Sequence, residues 1–189
     1  PGSGKSLAAE VIHRHSARSD KPLTVFRADE WPEDRAEAAL DGAIHQAAEG
    51  VLFLDEISTW PKPLQAVLMH RITAGKLRAR LFSASSQDLA AKVAEGTFRE
   101  DLFYALAVLR VLLPPLRERT GDIPALAASR TGDLALSAEA LAALKSHAWP
   151  GNVRELQTAL AHGVAVCGGN TILPHHLPAH LTASEPSNH

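Results

Sequence analysis

The sequence predicts an α/β fold, a parallel sheet flanked by helices, followed by a small all-helical appendage. Three observations lead there. Up to about residue 125, short apolar runs alternate with helical segments of ten or more residues, and parallel strands need crossovers of that length. The run "VLFL" (51–54) is apolar at every position, the pattern of a strand buried on both faces. Beyond Asp122 the strand signals stop and only helical periodicity continues.

In chain order, Lys5 to about His15 reads as a helix with Leu7, Val11 and Ile12 on its apolar side. "SARSDKP" breaks it, and "LTVF" (23–26) is a short buried strand. Residues 31–50 form a helix, with Pro32 in the first turn, acids after it and Gly50 available to cap the end. Strand 51–54 follows, then a helix over 63–75, a third strand over 79–85 and a fourth over 107–113, closed by Pro114 and Pro115. In the appendage, 136–147 is a helix with Ser137 as N-cap, although Ala140 stands where a full capping box would place Glu or Gln. A second helix covers 150–167 and a last turn 174–181, and the tail 182–189 is expected to be disordered.

Composition narrows the function classes. The formal charge is −2 with both signs interspersed, so no basic stripe marks this segment as a nucleic-acid binder. The single cysteine, Cys167, excludes an internal disulfide and suits a reducing, cytoplasmic setting. No apolar run reaches the roughly 20 residues of a membrane span.

The chain opens "PGSGKS", the second half of the pattern G-x-x-x-x-G-K-[ST]. Gly2 and Gly4 let backbone N–H groups turn toward phosphates, Lys5 reaches the β/γ-phosphates, and Ser6 is a Mg²⁺ ligand. A strand is expected to precede this loop, outside the sequence given. "VLFLDE" then sets Asp55 and Glu56 at the carboxyl end of a buried strand, where α/β sheets bind ligands. Asp55 suits the Mg²⁺ shell, and Glu56 suits polarising an attacking water.

Two longer strings, "FREDLFYALAVLRVLLPPLRERTGDIPAL" (98–126) and "WPGNVRELQ" (149–157), together with "VLFLDEIS" and "ILPHHLP", resemble the AAA+ domain of sigma-54-dependent transcriptional activators, the bacterial enhancer-binding proteins. The resemblance spans nearly the whole chain. It implies an AAA+ P-loop NTPase core over 1–125, a helical lid over 126–181, and ATP and Mg²⁺ as cofactors. It also implies a homo-oligomeric ring that remodels RNA polymerase carrying sigma-54, with DNA bound only through a domain outside this chain. By position, Asp55 and Glu56 become the Walker B pair, Arg154 the lid arginine that senses the γ-phosphate, and Arg99 an arginine placed near the neighbouring subunit's nucleotide.

Four departures from the family pattern bear on function. A second arginine expected six positions after Arg99 is Ala105. The strand before Walker B usually ends in an asparagine that orients the catalytic glutamate; Arg27 stands there, so Glu56 is expected to meet this cation. The sensor position after the third strand is Ser86 rather than asparagine. Between Ala28 and Val51 there is one helix and no GAFTGA string, the loop by which such activators grip sigma-54. Two readings result: a slow ATPase working in an oligomer, and a nucleotide-gated interaction module that no longer remodels polymerase. The remaining candidates read as structural or solvated: His13 and His15, the trio His175, His176 and His180, a buried Cys167 thiol, and Trp149 in packing.

Overall fold

A computed structural model describes residues 2–182 of the chain. Internal contacts divide the chain into two units, Lys5–Val111 and a second of Pro1–Gly4 with Leu112–His189. The first is built on three parallel strands, β1 (Leu23–Arg27), β2 (Val51–Asp55) and β3 (Arg80–Ser83), in the order β1-β2-β3. The expected run over 51–54 is indeed the central strand, and its four apolar residues are all buried. In the parallel register Arg27, the last residue of β1, stands opposite Asp55, the last of β2.

Helices α1 (Lys5–Arg14), α2 (Glu33–Ala47), α3 (Lys62–Thr73), α4 (Leu89–Ala94) and α5 (Glu100–Leu106) complete this unit. α2 buries Ala36, Leu40, Ala43 and Ala47, a stripe at three- and four-residue spacing that suits one helix face. It ends at Ala47 without using Gly50 as a cap. Gly50 serves a different end, since a Cβ there would collide with the Pro22 carbonyl oxygen. The core gathers Phe26, Leu40, Leu52, Leu54, Leu68 and Leu102 around Trp60, whose ring meets Phe26 edge to face at 5.2 Å.

Two expectations need correction here. α1 forms where expected but buries only Ala9, and Leu7, Val11 and Ile12 are exposed. No strand forms over 107–113, and Val108, Leu109, Val111 and Leu112 lie exposed. An apolar run becomes a strand only where a neighbour supplies the ladder, and none of β1–β3 pairs with this segment.

The second unit contains α6 (Ile123–Thr131), α7 (Ala138–Ser146), α8 (Asn152–Val166) and α9 (Ala179–Thr182). It is not wholly helical. β4 (Ala135–Leu136) and β5 (Thr171–Ile172) form a two-residue parallel bridge, too short to leave a period-2 pattern in the sequence. Ser137 Oγ accepts the Ala140 N–H at 3.1 Å, the expected cap of α7. Leu116, Ile123, Leu144, Leu156, Leu160 and Ile172 pack around Trp149, which is fully buried as the packing role requires. Cys167 is half-buried rather than enclosed, with its thiol donating to the Gly169 and Thr171 carbonyls at 3.3 Å. The expected tail disorder lies, from residue 183 on, outside the described residues.

Candidate nucleotide-binding site

The carboxyl end of the parallel sheet carries the charged cluster of the first unit. β2 runs directly into Asp55 and Glu56, and Glu56 adopts a left-handed backbone, φ 47° and ψ 46°, a conformation uncommon for a residue with a side chain. Strain of this kind concentrates at functional turns. The Glu56 N–H donates to Asp55 Oδ1 at 3.1 Å, and the next residue, Ile57, donates to the Ala84 carbonyl at 2.9 Å. These bonds secure the turn that presents both carboxylates.

Each carboxylate already has a cation. Lys5 Nζ, at the start of α1, lies 2.7 Å from Glu56 Oε1. The other Glu56 oxygen accepts both the N–H and the hydroxyl of Ser86, at 2.9 and 2.7 Å. Burial pushes the Glu56 carboxyl up, but the hydrogen bonds from Lys5 and Ser86 outweigh it and hold the group below its ordinary range. Arg27 Nε donates to Asp55 Oδ2 at 3.0 Å, and its Nη1 to Glu30 at 3.1 Å. The hydrogen bond to Asp55 is the largest influence keeping the Arg27 guanidinium firmly protonated. Arg27 therefore meets Asp55 and not Glu56, because the register puts the two strand ends side by side. The cation on Glu56 is Lys5.

Arg99 has partners of its own. Arg99 is the N-cap of α5 and forks onto Asp101, with Nε–Oδ1 3.0 Å and Nη2–Oδ2 2.7 Å. Its backbone N–H donates to Gln65 Oε1 at 2.9 Å. Gln65 is wholly buried and also donates to the Trp60 and Thr97 carbonyls. Gln65 thus fixes the chain where Arg99 begins, a role that a glutamine on a helix does not announce. A shallow depression lined by Arg18, Lys21, Glu49 and Arg78 contains none of the candidate residues.

In the second unit, Gly2 and Gly4 have φ of +72° and +96°, backbone that glycine adopts without steric cost. The Gly2 carbonyl accepts the Val153 N–H at 3.0 Å. A Cβ on Gly2 would stand 2.5 Å from the Gly151 oxygen and 3.1 Å from the Arg154 Cβ. Gly2 thus lies against the first turn of α8, where Arg154 is exposed. Arg119 Nη2 donates to the Ser3 carbonyl at 2.6 Å, a contact no sequence motif points to.

Residues 1–116 match the sigma-54 interaction domain, and residues 117–189 match the AAA+ ATPase lid domain. The chain belongs to the sigma-54 interaction domain family. Among its relatives, the DNA-binding transcriptional regulator NtrC of Escherichia coli is 37% identical over 220 aligned positions, covering 97% of this chain and 46% of the relative. The anaerobic nitric oxide reductase transcription regulator NorR of Aeromonas hydrophila is 38% identical over 87% of this chain and 39% of its own length. This sigma-54 interaction domain thus spans about half, or less, of those relatives. The 220 aligned positions exceed its 189 residues, so NtrC carries internal residues that this domain lacks. Crystal structures of NtrX from Brucella abortus in complex with ATP and with ADP superpose with TM-scores of 0.87 and 0.85. They are 29% and 30% identical and cover 95% and 97% of this chain and about half of NtrX. The RuvB Holliday junction branch migration motor of Thermotoga maritima, 18% identical with a TM-score of 0.67 over 93% of this chain and 56% of its own, shares the fold. Among the described residues no helix is long and apolar enough to cross a membrane.

Proposed function

We propose that this domain is the ATP-binding module of a bacterial, cytoplasmic NtrC-type transcriptional regulator, and that it hydrolyses ATP slowly within a homo-oligomeric ring. The observation that carries the reading is the meeting of Lys5, Glu56 and Ser86 beside Asp55 at the carboxyl end of a parallel sheet, where α/β proteins bind ligands. The left-handed glycines Gly2 and Gly4 suit a backbone that turns its N–H groups toward phosphate. Ser6 and Asp55 offer a hydroxyl and a carboxylate, hard oxygen donors that fit Mg²⁺. The ion, when bound, shields phosphate charge.

The roles of the side chains follow from their chemistry. With nucleotide bound, Lys5 would turn from Glu56 to the β/γ-phosphates, and that exchange would free one Glu56 oxygen to polarise water. Ser86 keeps the other oxygen in place. Arg99 would act on the nucleotide of a neighbouring subunit and Arg154 on the γ-phosphate, as the family resemblance implies.

A second reading is a switch that holds nucleotide without turning it over and no longer grips sigma-54 polymerase by the usual loop. Three observations favour it. Arg27 holds the Asp55 carboxylate. Ala105 supplies no charge where a second arginine is expected, and arginine fingers contribute on the order of 10³–10⁵ in rate. Between β1 and β2 stand a 3₁₀ turn, Ala28–Glu30, and α2, and the residues there include no GAFTGA string.

ATP turnover against protein concentration in the full-length regulator separates the two. A specific rate that climbs with concentration supports the ring ATPase, and tight binding with no turnover at any concentration supports the switch. Lys5→Ala should weaken ATP binding on the order of a hundredfold, about 2.7 kcal/mol. Unchanged affinity would refute the phosphate-loop reading altogether.

A further inference from the structure

Away from the nucleotide site, three side chains from three elements of the second unit converge. His147 follows the last residue of α7, Glu155 lies in the first turn of α8, and His180 lies in α9. One nitrogen or carboxylate oxygen from each falls within 4.8 Å of the other two. His147 Nδ1 is 3.9 Å from Glu155 Oε1, and the His147 and His180 rings meet edge to face with centroids 5.8 Å apart.

Two of the three are already oriented by their surroundings. The Trp149 N–H donates to His147 Nδ1 at 3.1 Å, so that nitrogen presents a lone pair. A metal ligand needs an imidazole nitrogen in this unprotonated state. The ring also packs edge to face on the buried Trp149 at 4.7 Å. Glu155 Oε2 accepts the Gly151 N–H at 2.7 Å, which leaves Oε1 turned toward His147. Outer hydrogen bonds of this kind orient metal ligands. His180 is exposed and closes the group from the solvent side.

We propose that His147, Glu155 and His180 bind a divalent transition-metal ion of the zinc class, with a fourth position left to water. Two imidazoles and one carboxylate are a donor set that zinc accepts, with bonds of about 2.0–2.2 Å. Imidazole nitrogen disfavours Ca²⁺ and Mg²⁺, which take oxygen. Bonds of that length set the ligand atoms about 3.4 Å apart in tetrahedral geometry. Side-chain shifts of about an ångström therefore close the site, and the ion takes the His147 lone pair from the Trp149 amide. Such an ion would join the end of α7, the first turn of α8 and α9. Sequence spacing hides the set, because Glu155 stands eight residues after His147 and twenty-five before His180.

The test uses chelator-stripped protein titrated with Zn²⁺ by calorimetry and with Co²⁺ by visible absorption. Wild type should bind one ion and show Co²⁺ d–d bands. His180→Ala, at an exposed position, should weaken binding at least about tenfold and remove the bands, a loss of the size tied to metal-site residues. Glu155→Gln keeps an acceptor for the Gly151 N–H and should weaken binding likewise. His175→Ala, whose ring meets that of His176 edge to face at 4.1 Å, should change neither readout. Wild-type affinity no tighter than that of His180→Ala, or an equal loss in His175→Ala, would overturn the proposal and leave a His147–Glu155 contact among unrelated surface histidines.

Discussion

Arg27 occupies the carboxylate that Mg²⁺ would need. Its bond to Asp55 Oδ2 is direct and charge-assisted, and such bonds contribute roughly 1.5–3 kcal/mol. A metal ion approaching Asp55 must displace or share that guanidinium. Arg27→Asn should therefore lower the Mg²⁺ concentration that half-saturates ATP binding, on the order of tenfold, equivalent to about 1.4 kcal/mol. Calorimetric titration of ATP at a series of Mg²⁺ concentrations measures it, and an unchanged midpoint would mean that Arg27 yields freely. At this scale the position of Asp55 and Glu56 at the end of a buried strand was legible in the sequence. Their partners were not. Arg27 was expected on Glu56, and only the in-register pairing of β1 with β2 sends it to Asp55. Ser86 was noted as a departure, yet its two bonds to Glu56 depend on where the loop after β3 turns.

The elements are joined by a few buried polar contacts as well as by apolar packing. Gln65 on α3 satisfies the Trp60 and Thr97 carbonyls and the Arg99 N–H from a site with no solvent access. Leucine there would leave these backbone groups unpaired in the interior, each costing about 1–3 kcal/mol. Gln65→Leu should lower the urea midpoint accordingly, and because Arg99 follows Thr97 and Phe98 directly, any turnover that depends on Arg99 should fall with it. If stability and turnover both held, Gln65 would have no positioning role. Helices α1, α2, α3, α7 and α8 and the first three strands could be read ahead of the structure from periodicity and from turn residues, whereas the shorter α4, α5 and α6 were not. The segment 107–113 misled, because its apolar composition says nothing about whether a neighbouring strand is there to receive it. β4 and β5 escaped notice for the opposite reason, being two residues each.

Over the whole molecule, acid should act mainly on the first unit. Hydrogen bonds from Arg71, from Lys5 with Ser86, and from Arg99 leave Asp41, Glu56 and Asp101 below their ordinary ranges, against the opposing push of burial. A carboxylate depressed by folding stabilises the native state above its unfolded value, and that contribution fades as pH falls through the folded one. Urea midpoints should therefore hold near neutrality and decline once pH drops through and below the usual carboxylate range. Lys5→Ala should flatten part of that decline by removing the cation on Glu56, and an identical profile would show that Glu56 has no share in it. The family was visible in long motifs, since those strings are dense in residues of low degeneracy.

The exposed run "AVLRVLL" also bears on solubility. Six apolar residues, two of them valine and three leucine, surround one charge and contain no proline, and they lie outside any strand. Short uncharged β-prone stretches of this make-up seed cross-β stacking between chains. Arg110 interrupts the stretch, its guanidinium lying 4.9 Å from the Phe103 ring centroid, and so serves as an aggregation gatekeeper. Arg110→Val should leave far-ultraviolet circular dichroism unchanged at low concentration yet bring on thioflavin-positive precipitation on standing. A clear solution would assign that protection to other residues.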